Sequence, residues 1–233
     1  MSEHPGTERH AGRLAAWLTF VLALTALNYA GRFAGEGTVD DDIAYEWVSS
    51  VGVVIQFAIM LGILMLISRG VSKREVFALR RPASWKRAVG LTVLALAAIY
   101  AAAAAYTGLL SLLGDYDPSE EQGLVPDGWD SSRAAPFIAF FLAVTLLAPA
   151  VEELTYRGMG IWVLRPYGTV LAIVATGLLF GLAHGLLIGL PILAFFGLVV
   201  GWLRIKTGSI YPPIALHAVF NGVALVAAIS GAG

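Results

Sequence analysis

The sequence predicts an all-α fold, a polytopic transmembrane helical bundle of about seven membrane helices, on three observations. Of the 233 residues, 58% are hydrophobic and only 13% are charged, about half the charged share of a soluble domain. Mean hydropathy is +0.77. Apolar stretches of roughly 17 to 26 residues recur along the chain, close to the ~20 needed to cross a bilayer as a helix. A water-soluble globule of this composition would lack polar surface to cover itself. The size suits one bundled domain. The absence of cysteine excludes disulfides, cysteine–zinc sites and thiol nucleophiles.

Polar residues 1–13 precede a first apolar run at about 14–30. It resembles the core of a signal peptide in length, but six further spans follow, so a retained helix is expected. The loop 31–47 is acidic, with Glu36, Asp40, Asp41, Asp42 and Glu46 against Arg32. A second span covers about 48–68. Residues 69–87 then carry Arg69, Lys73, Arg74, Arg80, Arg81, Lys86 and Arg87 against Glu75. A third span runs over about 88–113, and 114–133 is acidic again, with Asp115, Asp117, Glu120, Glu121, Asp127 and Asp130 against Arg133. Basic loops stay cytoplasmic, so 69–87 is expected inside with the N-terminus, and the acidic loops outside. Phe77, Leu79 and Trp85 also suit an interfacial segment on anionic lipid, although an ordinary topogenic loop is the simpler expectation. A fourth span starts near Pro136, a fifth covers about 168–188, a sixth about 190–204 and a seventh about 212–230. Arg165, Arg204 and Lys206 mark cytoplasmic ends.

Gly177, Gly181, Gly185 and Gly189 recur every fourth residue, as do Gly197 and Gly201. Small residues at this spacing let membrane helices approach closely.

Three charges fall in or at the edge of the fourth apolar run: Glu152, Glu153 and Arg157. A charge at mid-bilayer costs about 2.5–3.5 kcal/mol on insertion scales, so such groups face the bundle interior and pair. Glu153 and Arg157 are i,i+4 and share a helix face. Glu152 is turned about 100° away, which frees one carboxylate for chemistry. The fifth span carries Phe180 and His184, and the seventh His217 and Asn221, each pair again i,i+4. His4 and His10, in the polar tail, are expected to be solvated. Costly polar groups on three separate spans are best satisfied by converging on one cavity.

Such a cavity suits hydrolysis by an activated water. A carboxylate of raised pKa takes a proton as general base, a histidine shares that water, and a second histidine with an amide steadies an oxyanion. Alternatively, one Glu and two His hold a divalent metal such as Zn²⁺ with an open position. No Asp lies in an apolar span, and neither HExxH nor GxSxG occurs, which excludes aspartyl dyads, helical zinc-peptidase pairs and nucleophile elbows. Counting helical rise puts Glu152 and His217 near the cytoplasmic side. His184 then falls nearer the opposite face, unless 159–167 re-enters the membrane or the fifth span starts deeper.

Three motifs resemble the CPBP family (CAAX-protease and bacteriocin-processing membrane peptidases, also called Abi): EExxxR at Glu152–Arg157, FxxxH at Phe180–His184 and HxxxN at His217–Asn221. The likeness covers about 135–225; the first three spans match only in character. It implies an intramembrane endopeptidase of glutamic or metallo type, with Glu152 as base and His184 as its partner on the water. His217 and Asn221 would steady the oxyanion, or Glu152, His184 and His217 would ligate a metal. Glu153, Arg157 and Phe180 would support the site. The chain then divides into 1–134, three N-terminal membrane helices with their loops, and 135–233, a catalytic core. The implied substrate is a membrane-associated or lipidated protein or peptide in the lipid bilayer, in the plasma membrane of a bacterium; no nucleic-acid partner is expected. The competing readings are a non-catalytic membrane immunity protein and a small proton-coupled transporter, the latter weakened by the lack of internal two-fold symmetry.

Overall fold

The computed structural model describes residues 5–34, 43–114 and 128–230. The acidic residues Glu36, Asp40, Asp41, Asp42, Asp115, Asp117, Glu120, Glu121 and Asp127, and the tail residue His4, lie outside these. The described residues form seven principal helices: α1 (Pro5–Ala34), α2 (Trp47–Ile67), α3 (Trp85–Leu113), α4 (Ser131–Tyr167), α5 (Thr169–Leu182), α6 (Leu190–Thr207) and α7 (Tyr211–Ile229). Five are long and apolar enough to cross a membrane, and α5 and α7 are shorter apolar helices. The protein is thus a polytopic helical bundle.

Local chemistry sets the helix ends. Ser84 caps α3 by accepting from the Arg87 N–H, and Asp130 accepts from the Ser132 N–H at the start of α4, each satisfying a donor that the first turn leaves open. Gly208, at φ +66°, ends α6, as a left-handed residue after a helix does. Pro149 stands inside α4, where it has no N–H to give to the preceding turn. The chain just before it widens to π turns over Ala143–Leu147, and a second π stretch covers Leu154–Gly160. Such widenings gather at functional sites.

One core joins every helix. Trp17 and Val21 of α1, Leu64 of α2 and Ile99 of α3 are buried in the same cluster as Tyr156, Phe180, Phe196 and Leu216. The basic loop contributes as well. Phe77 is buried against Gly158, where a Cβ would come within 2.9 Å of its ring, so this residue enters the bundle and leaves Leu79 and Trp85 at the surface.

Helices α5 and α6 cross at glycine. A Cβ on Gly197 would lie 2.5 Å from the Gly177 carbonyl oxygen, and one on Gly181 would lie 2.8 Å from the Ala194 nitrogen. Backbone therefore meets backbone, as the four-residue spacing predicts. Two expectations need correction. The fifth span ends at Leu182, not 188, so Gly185 and Gly189 lie beyond it and not on its face. Gly185 serves a different purpose: its φ of +69° turns the chain, a conformation open to glycine without steric cost. His10 is also not merely solvated. Its Nε2 donates to the Val163 carbonyl at 3.0 Å and its ring lies 5.1 Å from Trp162, because α1 starts at Pro5 and its first turns pack on the end of α4.

Candidate active site

The site rests on the hairpin made by α4 and α5, which reverse at Gly168. Residues equally far from Gly168 along the two arms fall at the same level. Gly160 and Thr176, each eight residues from the turn, touch: a Cβ on Gly160 would lie 2.9 Å from Thr176 Cγ2. Tyr156 and Phe180, each twelve residues away, meet ring to ring at 5.4 Å. Glu152 and His184 are each sixteen residues away. They line one cavity of about 360 Å³, together with Tyr156 and, from the first two helices, Asn28, Gln56 and Met60.

At 14 residues, α5 is about 21 Å long, short of the ~30 Å hydrocarbon core. It ends two residues before His184, which lines the same cavity as Glu152. Asn28 of α1 donates its side-chain amide to the Ala183 carbonyl, and its backbone packs on Gly185. Tyr106 of α3 donates to the Ile188 carbonyl at 2.6 Å. These contacts hold the segment that follows His184.

The two glutamates divide their work. Glu153 is fully buried, and its Oε1 accepts from Arg157 Nη1 at 3.0 Å and from His217 Nδ1 at 3.0 Å. Arg157, also fully buried, donates through Nη2 to the Gly197 carbonyl at 3.0 Å and lies 4.5 Å from the centre of the Phe180 ring. One guanidinium thus ties α4 to α5 and α6. Glu152 keeps 18% of its side chain exposed, towards the cavity, and its Oε2 lies 3.5 Å from His217 Nε2. His217 therefore bridges the two carboxylates. His184 donates from Nδ1 to the Phe180 carbonyl at 2.8 Å, which leaves Nε2 as its proton-accepting nitrogen.

Of the sequence-predicted residues, Glu152, Glu153, Arg157, Phe180, His184 and His217 come together. Asn221 lies one turn beyond His217, and its Nδ2 donates to the Val144 carbonyl at 3.0 Å, in the first π stretch. Sequence reasoning missed Asn28, Gln56 and Tyr156. Asn28 and Gln56 are polar residues inside apolar runs, the signal that singled out the histidines. Tyr156 lies within the first motif; it is almost wholly buried, and its hydroxyl has no hydrogen-bond partner among the described residues. Trp17 was missed as well: its indole donates to the Thr155 carbonyl at 2.9 Å and braces the second π stretch.

A catalytic zinc needs three protein ligands at about 2 Å. Among the described residues, no three His, Asp or Glu side chains are grouped to hold a metal ion. The arrangement offers Glu152 and His217 as neighbours but does not fit the three-ligand set expected of Glu152, His184 and His217.

Residues 134–223 match the family model described as Rce1-like, type II CAAX prenyl endopeptidase. This segment, from the start of α4 into α7, carries all three motifs and is similar to that family. No curated protein and no solved structure matches the chain.

Proposed function

We propose that this integral membrane protein, with its CAAX-protease-like segment, is an intramembrane endopeptidase that hydrolyses a peptide bond of a membrane-associated or lipidated substrate with water activated by Glu152 and His184. The observation carrying this reading is that Glu152 and His184 line one and the same cavity. Glu152 takes a proton from water held between its carboxylate and His184 Nε2. The hydroxide attacks the scissile carbonyl carbon. As the tetrahedral intermediate collapses, the C–N bond breaks and Glu152 returns the proton to the leaving amine.

His217, anchored by Glu153, orients Glu152. Asn221 gives one amide hydrogen to Val144 and has a second for the oxyanion. Tyr156 lines the cavity, and its buried hydroxyl, without a partner among the described residues, is a further candidate oxyanion donor. The chemistry then belongs to 135–233, while the helices of 1–134 build the cavity's other wall. Because the matched family is described as a type II CAAX prenyl endopeptidase, a prenylated CAAX peptide is the first substrate to try. The basic loop supports a cytoplasmic N-terminus, and a bacterial plasma membrane is the proposed location.

The test is cleavage of a lipidated peptide library by purified protein in bilayers. Glu152→Gln should abolish cleavage with the thermal unfolding profile unchanged. Tyr156→Phe should lower kcat by about 10²-fold, as loss of one oxyanion donor does, with KM retained. Undiminished cleavage by Glu152→Gln would remove the catalytic assignment and favour a non-catalytic partner protein.

A further inference from the structure

A second cavity, of about 870 Å³, lies away from the active site and is lined by Arg74, Leu79, Arg80, Arg81, Trp85 and Tyr211. We propose that it binds the phosphate headgroup of an anionic phospholipid.

Three guanidinium groups line this cavity and, among the described residues, no carboxylate does. The fold builds it deliberately. Ala78, held at φ +49°, turns the chain after the buried Phe77, a strained conformation for a residue with a Cβ. Its carbonyl accepts from the Ile210 N–H at 3.2 Å, and Arg80 Nε donates to the Gly208 carbonyl at 2.7 Å. These two bonds clamp the basic loop on the turn between α6 and α7, and that turn supplies Tyr211. A topogenic signal requires only that positive charges be present on one side; it does not require them to converge on one cavity.

Arg204 adds a further cation under the electrostatic influence of Arg80. Arg204 is only 5% exposed, its Nε has no hydrogen-bond partner among the described residues, and its charged neighbours are Arg80 and Arg165. A buried cation surrounded by like charges is stabilised by an anion placed among them. Guanidinium groups match phosphate oxygens in a bidentate fork.

The other lining residues select a lipid as the source of that phosphate. Trp85 is 52% exposed, Tyr211 41% and Leu79 36%. Trp and Tyr of this kind sit at the level of the headgroups. Trp85 is also the first residue of α3, a helix apolar and long enough to cross the membrane, so the cavity lies where a span meets water. The basic side of a membrane protein faces the leaflet rich in anionic lipid.

The test uses the full chain in bilayer discs of phosphatidylcholine with and without phosphatidylglycerol, released into native mass spectrometry. Wild type should retain phosphatidylglycerol in preference to phosphatidylcholine. Arg74→Gln with Arg81→Gln, sparing the structural Arg80, should weaken that preference about tenfold or more, with unchanged thermal unfolding in pure phosphatidylcholine. Should that double variant unfold, Arg81→Glu provides the same comparison. Inorganic phosphate alone should compete only weakly. Equal retention of the two lipids by wild type, or undiminished retention by a folded variant, overturns the proposal. Phosphate binding as tight as the lipid's overturns the lipid as occupant.

Discussion

Replacing Arg157 by Met isolates the device that holds the helices of the candidate site together. Met fills similar volume without charge. The substitution removes the ion pair to Glu153 and the donor to the Gly197 carbonyl, both at 3.0 Å and both buried. Breaking a buried pair from one side costs about 3–5 kcal/mol, because a charge stays behind without compensation. The stranded carbonyl costs a further ~1–3 kcal/mol, but one guanidinium makes both bonds, so the losses do not add in full. A loss of about 4 kcal/mol is expected, a fall of roughly 8–16 °C in Tm for a chain of this size. Adding Glu153→Gln should restore about half of it, since the stranded group is then neutral. Cleavage should not return, because His217 loses the carboxylate that anchors its Nδ1. Thermal and SDS unfolding in detergent micelles, followed by tryptophan fluorescence, measure both variants. A single variant within about 1 kcal/mol of wild type, or a double variant no more stable than the single, would refute the reasoning.

Gly197→Ala should cost about 1–3 kcal/mol by overpacking, since its Cβ would lie 2.5 Å from the Gly177 oxygen; Gly52→Ala, with nothing within 4 Å, is the neutral control, and equal unfolding midpoints would contradict the close crossing. Asp130, outside the membrane segments, is held at about 2, below its ordinary 3.8, first by the Ser132 hydroxyl and then by Arg133. Because the folded value is the lower one, its contribution to capping α4 is present above 3.8 and is lost as the pH falls towards about 2; carboxyl NMR giving an unshifted midpoint would count against the cap. Exhaustive chelation should leave cleavage within about twofold, since the described side chains do not offer the three ligands a catalytic zinc takes; loss of activity restored by added Zn²⁺ would reverse that reading.

The site was legible in the sequence where it depends on neighbours along one helix. The i,i+4 spacing of Glu153 and Arg157 pairs them in any helical turn, and the ~100° offset turns Glu152 elsewhere; the structure has one glutamate buried and the other facing the cavity. The helix hairpin was legible too, in hindsight. Glu152 and His184 are symmetric about Gly168, and treating Arg165 as a membrane boundary concealed this.

By itself the sequence determined a membrane bundle, its apolar helices and its glycine crossing, because run length and periodicity are local properties that hydrophobic burial reads directly. Only the tertiary structure decided that α5 stops after 14 residues, that Asn28 reaches across to hold the chain behind His184, that His10 finds a partner and that His217 bridges two carboxylates. Those outcomes depend on where helices end and which faces meet. A carbonyl 155 residues away in the chain leaves no periodic trace in the residue that bonds it.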